Sequence, residues 1–228
     1  MARDGVYRSQ FETGTSNGGL TAHEGGDRWR WESRLFEGRY DGGLASERPV
    51  YGALNYRQSR YGGSVRFGSA YFRLRPGVSA RCTFCFPDSV YEPDVLSDLN
   101  AVGELIEKAE ASDNDPLDHY VEAHIHGRVL LGRDVEALVL DPCFRGSAVE
   151  RHAKSLPCQL DWHSGFRVAT ATLDPEYRGH EFVALARSLG DVLTPDVIGD
   201  AARSGQHDLQ ALKRVWHYLA RFGQAAVE

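Results

Sequence analysis

Eight residues near the middle of the chain, Tyr120-Val121-Glu122-Ala123-His124-Ile125-His126-Gly127, alternate between polar and apolar side chains. A period of two belongs to a strand with two unlike faces. When the segment is extended, Val121, Ala123 and Ile125 face a core. Tyr120, Glu122, His124 and His126 share the other side, with like-facing neighbours roughly 6.5–7 Å apart. One carboxylate and two imidazoles then line one surface, and three readings are open: a half-exposed strand with an ordinary polar side, a catalytic Glu at the end of a cleft strand, or a metal site of Glu122, His124 and His126. His152, His163 and His180 are candidates for a further ligand, and their spacing singles out none of them.

Around this strand the chain divides into a first half rich in glycine, tyrosine and arginine and a more helical last third. Val6 to Thr13 reads as a short strand running into the loop Gly14 to Gly19. Asp27 is placed to cap a helix carrying Trp29, Trp31, Leu35 and Phe36. The stretch from Arg48 to Ser69 reads as loop, and Ser69 to Leu74 and Arg81 to Phe86 read as strands. Ser97 to Ala111 has helical spacing, and Val129 to Leu140 holds a turn followed by a short helix or strand. Thr194-Pro195 opens another helix. His207 to Phe222 presents Leu209, Leu212, Val215, Trp216, Leu219 and Phe222 as one apolar face. Strands interrupted by helices, without regular β-α-β alternation and without a Gly-x-Gly-x-x-Gly turn in the required context, predict an α+β fold rather than a doubly wound sheet. The expected organisation is a core over residues 1–142 and a mainly helical extension over 143–228 packed on it.

At 228 residues with 42% apolar positions, the chain can bury one sizeable core or two small ones. It contains no run near the roughly 18–20 apolar residues of a membrane helix, and its start lacks a secretory layout, so a soluble, cytoplasmic protein without a membrane partner is expected. The net charge of −6 excludes a general basic field, so any polyanion must meet a local patch. Three of the 26 Lys and Arg residues are lysine, and arginine favours planar carboxylate or phosphate partners. Cys82 and Cys85 are three apart on an expected strand and so point to opposite faces, while 14 residues separate Cys143 from Cys158. Buried, reduced thiols are expected rather than a zinc site.

In the segment Gly5 to Gly19, the strand reading puts Arg8, Gln10 and Glu12 on one face, next to a glycine-bearing loop whose backbone could grip a flat polar ligand. Arg8 could pair with a diphosphate. An edge strand with a solvated charged face is the alternative.

The runs Tyr7 to Gly18, Arg48-Pro49-Val50-Tyr51-Gly52-Ala53-Leu54-Asn55, Arg66-Phe67-Gly68-Ser69 and Tyr120 to Gly127 resemble a family of uncharacterised bacterial proteins, over most of the chain up to about Gly179. More distantly, the order of an Arg-bearing first strand, a Ser-bearing middle strand and a late x-Glu-x strand is similar to the pattern of ADP-ribosyltransferases. Gly63 to Pro76 followed by Tyr120 to Leu140 resembles the DarT group of that superfamily, which modifies DNA. This resemblance implies an ADP-ribosyltransferase-like split β-sheet with flanking helices, whose cleft holds NAD as substrate. It carries Arg8 onto the NAD-gripping arginine, with Gln10 beside it, Ser69 onto the middle-strand serine with Thr83 as the alternative, and Glu122 onto the catalytic glutamate. Thr13-Gly14-Thr15 resembles the nicotinamide-binding corner of the polymerase branch, with Thr13 where that branch has His. Tyr120 stands where many members have Gln or Glu, a departure that weighs against a protein-arginine target.

The function implied is transfer of ADP-ribose from NAD to a macromolecular acceptor, nucleic acid or protein, with roles as a toxin and with an antitoxin or regulatory partner left open. No metal is expected on this reading. A metal enzyme using the Glu/His/His strand and a noncatalytic interaction module are the alternatives.

Overall fold

The computed structural model describes residues 4–14 and 21–225. The chain begins with β1 (Val6–Tyr7), α1 (Gln10–Thr13), α2 (Asp27–Leu35), β2 (Val50–Leu54), β3 (Tyr71–Leu74), β4 (Cys82–Cys85) and α3 (Val102–Glu110). It continues through β5 (Val121–Ile125), β6 (Val129–Leu130), α4 (Leu131–Asp134), β7 (Val135–Leu140), α5 (Ala148–Ala153) and β8 (Gln159–Trp162). The last part comprises β9 (Val168–Ala169), α6 (His180–Leu189), β10 (Val192–Leu193), α7 (Pro195–Ser204) and α8 (Leu209–Phe222). The fold is mixed α+β, and no helix among the described residues is long and apolar enough to cross a membrane.

Among the described residues the longer strands form two separate three-stranded sheets. In the first, β5 runs antiparallel between β2 and β4. In the second, β7 lies between β3, antiparallel, and β8, parallel. β1 pairs with β6 and β9 with β10 as short ribbons.

The alternation of β5 places Val121, Ala123 and Ile125 on the same face as Val50, Cys82 and Phe84, where they pack with Leu105 and Ala109 of α3 and with Leu131 and Val135. A second core forms where α8 turns Leu212, Val215, Trp216 and Leu219 toward Phe166, Val183, Leu193 and Ile198. Full burial of each such side chain is worth ~1.5–3 kcal/mol. Leu209 and Phe222, expected on the same face, stand at the helix ends and remain partly exposed.

Four sequence expectations are corrected. The strand over Val6 to Thr13 stops after Tyr7, because Ser9 and Glu12 form a capping box: Ser9 Oγ accepts from the Glu12 N–H at 3.2 Å, and Glu12 Oε2 accepts from the Ser9 N–H at 2.9 Å. Arg8, Gln10 and Glu12 therefore do not share a strand face. The loop expected over Arg48 to Ser69 contains β2, which pairs with β5 along its whole length. The helix expected from Ser97 starts at Val102, because Ser97 exchanges two backbone hydrogen bonds with Phe84 of β4, at 2.8 and 2.9 Å. Asp27 opens α2 instead of capping it; Gly26 is the cap, and Thr21 Oγ1 accepts the Asp27 N–H.

Gly63 marks a close approach of chain to β2. A Cβ there would stand 2.8 Å from the Ala53 carbonyl oxygen, whereas one at Gly77 meets nothing within 4 Å. Gly63→Ala is expected to lower stability by ~1–3 kcal/mol, read as a lower urea midpoint. Gly77→Ala should shift it by no more than ~0.5 kcal/mol.

Candidate active site on the polar face of the first sheet

The face of the first sheet opposite its apolar core carries Tyr51 and Ala53 from β2, Glu122 and His124 from β5, and Thr83 and Cys85 from β4. The register sets Tyr51, His124 and Thr83 side by side, and likewise Ala53, Glu122 and Cys85. Tyr120 and His126 continue this face beyond the two ends of β5. The face is not solvated: Glu122 is 7% exposed and His124 is 0% exposed.

Helix α2 lies over this face with an inverted amphipathicity. Its half-buried residues include Trp29, Trp31 and Leu35, whereas Arg28, Glu32 and, just past its end, Phe36 are buried. The spacing of four places these three on one side of the helix. Glu32 Oε2 accepts from Arg48 Nη1 at 2.8 Å, in an ion pair with side chains only 4% and 1% exposed, and Glu32 Oε1 accepts from Tyr51 Oη at 3.1 Å. Burial pushes the Glu32 pKa up, with Arg48 and Tyr51 opposing it. Arg28 and Arg48 lie over the rings of Tyr51 and Phe11. A continuous row thus leads from α1 through Arg48, Glu32 and Tyr51 to His124, whose ring meets Tyr51 edge-on at 5.2 Å.

Glu122 Oε1 accepts from the Ser89 N–H at 3.2 Å and pairs with His124 Nε2 at 2.9 Å, with Cys85 Sγ 3.8 Å away. Burial alone would raise its pKa, but the hydrogen bond and electrostatic attraction of His124, with the Ser89 contacts, hold it below the ordinary value. Burial and the neighbouring Glu122 push the Cys85 thiol far up. From His124 Nδ1 the network continues to Thr83 Oγ1 at 3.2 Å, to His126 Nε2 at 2.9 Å, and from His126 Nδ1 to Tyr40 Oη at 2.5 Å. Since a hydroxyl both donates and accepts, this chain can pass a proton between Glu122 and the half-buried His126.

The expected alternative of Glu122, His124 and His126 as joint ligands is not what the strands bring together. His126 is engaged by Thr83 and Tyr40, and among the described residues the cluster with converging ligand atoms is Cys85, Glu122 and His124. Cys82 points to the other face and donates to the Val78 carbonyl.

The other expected residues lie on other elements. Arg8 follows β1 and pairs with Asp4 at the surface. Gln10 and Thr13 lie on α1, and Gly14 ends it in the left-handed region at φ 63°. Thr15 lies outside the described residues. Ser69 precedes β3 in the second sheet, and its carbonyl accepts from His163 Nε2 at 2.8 Å. A cleft of about 240 Å³ opens beside the first sheet, lined among others by Leu54, Tyr56, Gly63, His119, Tyr120 and Arg221. Tyr120 also donates to Asp88, the residue before Ser89.

Sequence reasoning missed Arg28, Glu32, Arg48 and Cys85. The i, i+4, i+8 spacing of Arg28, Glu32 and Phe36 was the signal for the first two. Cys85 was marked by its position two residues from Thr83, on one strand face.

A family model described as "Protein of unknown function (DUF3626)" matches residues 1–101 and 94–222. No curated protein matches the chain.

Arg48→Met strands the Glu32 carboxylate without its cation and is expected to cost ~3–5 kcal/mol of stability, measurable by chemical denaturation. Burial, with the charges of Arg39, His124 and Arg81, lowers the His126 pKa from 6.5 to about 4. The unfolded chain therefore takes up a proton at this position before the folded one does, and stability should fall as pH drops from 6.5 toward 4. A urea-midpoint series over that window should show a shallower slope in His126→Gln.

Proposed function

The chain belongs to the DUF3626 family, and on that premise we propose that it is a mono-ADP-ribosyltransferase, moving ADP-ribose from NAD to a macromolecular acceptor, with Glu122 as the catalytic carboxylate. The observation that carries this reading is a glutamate buried on the middle strand of a sheet, paired with a histidine that helps hold its pKa below the ordinary value. The separation of the longer strands into two sheets is in keeping with the split sheet that the resemblance implies.

The chemistry follows from charge. Cleavage of the bond between the ribose anomeric carbon and the nicotinamide nitrogen sends the bonding electrons to the nitrogen and leaves the sugar oxocarbenium-like, as in glycoside cleavage. A carboxylate in a low-dielectric surround stabilises that positive charge more than it would in water. Glu122 would accept a hydrogen bond from a ribose hydroxyl, which replaces one donor, the Ser89 N–H, with another. The acceptor's nucleophilic atom bonds to the anomeric carbon, and its proton passes to Glu122.

Arg8, Gln10, Thr13, Gly14 and Thr15 are the proposed grip on NAD, with Ser69 from the segment before β3. The ion pair of Arg8 with Asp4 is exposed and of the kind worth little, so a diphosphate could displace it. The cleft beside Tyr120 offers an approach for an acceptor.

Incubation with labelled NAD, cell extract and, separately, nucleic acid tests this function. Glu122→Gln should lower nicotinamide release by ~10²–10⁴-fold, with the far-UV circular dichroism of the parent retained. Unchanged turnover in that variant removes Glu122 from the chemistry.

A further inference from the structure

Cys85 and Glu122 are direct cross-strand partners, and His124 is the next residue on the same face of β5. Their side chains converge. Glu122 Oε1 and His124 Nε2 are 2.9 Å apart, and Cys85 Sγ lies 3.8 Å from the former and 3.9 Å from the latter. All three residues are buried. We propose that Cys85, Glu122 and His124 form a binding site for one divalent transition-metal ion of the zinc type, held by a thiolate, a carboxylate oxygen and an imidazole nitrogen.

Three arguments carry the assignment. The first is geometric. Ligand atoms around a tetrahedral zinc with bonds of ~2.0–2.3 Å stand roughly 3.3–3.6 Å from one another. The edges of this triangle bracket that value, and an ion requires only a few tenths of an ångström of adjustment.

The second is hydrogen-bond accounting. Without an ion, three donors, the Ser89 N–H, the His124 ring and the Cys85 thiol, crowd onto the single oxygen Oε1, while the sulfur sits at the long end of hydrogen-bonding range from both neighbours. One thiol proton serves only one of them. An ion serves all three ligand atoms at once.

The third is charge and orientation. Binding releases the Cys85 proton, and thiolate plus carboxylate then balance the two positive charges of the ion, leaving the buried site neutral. With the ion on Nε2, the remaining His124 proton is on Nδ1, where Thr83 Oγ1 stands 3.2 Å away to accept it. That is the outer hydrogen bond a metal-bound imidazole ordinarily makes. The Thr83 hydroxyl then donates to His126 Nε2.

The site goes beyond the transferase reading and is in tension with it at one residue, since an ion on Glu122 and a ribose on Glu122 exclude each other. Zinc would accordingly act as an inhibitor wherever that reading holds.

The test uses the full chain, reduced and under nitrogen, in a Cys143→Ser/Cys158→Ser background that removes the half-exposed thiols, titrated with cobalt(II) chloride. The expected result is saturation at one equivalent, with a sulfur-to-cobalt charge-transfer band in the near ultraviolet and visible bands of a four-coordinate ion whose fourth ligand is water, both bleached by zinc. Cys85→Ser and Cys85→Ala should each abolish the charge-transfer band. Thr83→Val should keep the band but weaken binding by ~10–100-fold. No saturable band, or a band that survives both Cys85 variants, overturns the site. The readout contains no NAD, so it is decided separately from the nicotinamide-release assay.

Discussion

The buried pair of Arg48 with Glu32 is the interaction on which the candidate site depends. An ion pair at this depth is a poor source of net stability, because both charges give up their hydration. It is instead a strong constraint: once Glu32 is inside, Arg48, Tyr51 and α2 must all hold their places to satisfy it. The pair fixes the helix over the polar face of the first sheet. A helix with an ordinary apolar stripe would have required an apolar sheet face beneath it, and Glu122 and His124 would have had no place there.

The two cores serve different ends. The cluster beneath the first sheet, with Phe84, Val121 and Ile125, gives β5 a rigid apolar backing, so that the side chains on its reverse project from a fixed frame. The cluster around α8 lies among the last helices and reaches back to earlier parts of the chain through Tyr61 and Leu117. Trp216 Nε1 donates to the carbonyls of Val65 and Arg66, tying that helix to the segment between the two sheets. Catalytic positions built on strands between a packed face and a helix lid hold their geometry better than positions on loops.

What could be read from the sequence was set by periodicity. The strict alternation of β5 disclosed both its faces, and the apolar spacing of α8 disclosed most of its buried side. Alternation also carried Thr83 and Cys85 to one face of β4, but a question framed around Cys82 and Cys85 as a pair concealed the link to Glu122, which exists only through strand pairing. β2 was hidden by Gly52, a residue that weakens strands when nothing fills its place; here Ile125 Cδ1 comes within 3.3 Å of where a side chain would begin. α1 was hidden although Ser9 and Glu12 carry a legible capping box, because Val6 and Tyr7 suggested that the strand would continue. The inward turn of Arg28 and Glu32 ran against the rule that the apolar side of a helix is its buried side, and only the polar sheet face beneath them explains it.

The Thr83 hydroxyl, set between two imidazoles, owns a single hydrogen. When it offers that hydrogen to one ring, the other ring must be the giver, so the two histidines cannot choose their tautomers independently. Whatever happens to the proton on His124 is therefore copied through Thr83 and His126 to the Tyr40 phenol, 84 positions away in sequence. An event at the hidden carboxylate thus acquires an address at the half-buried His126, where a ring nitrogen's chemical shift can report it.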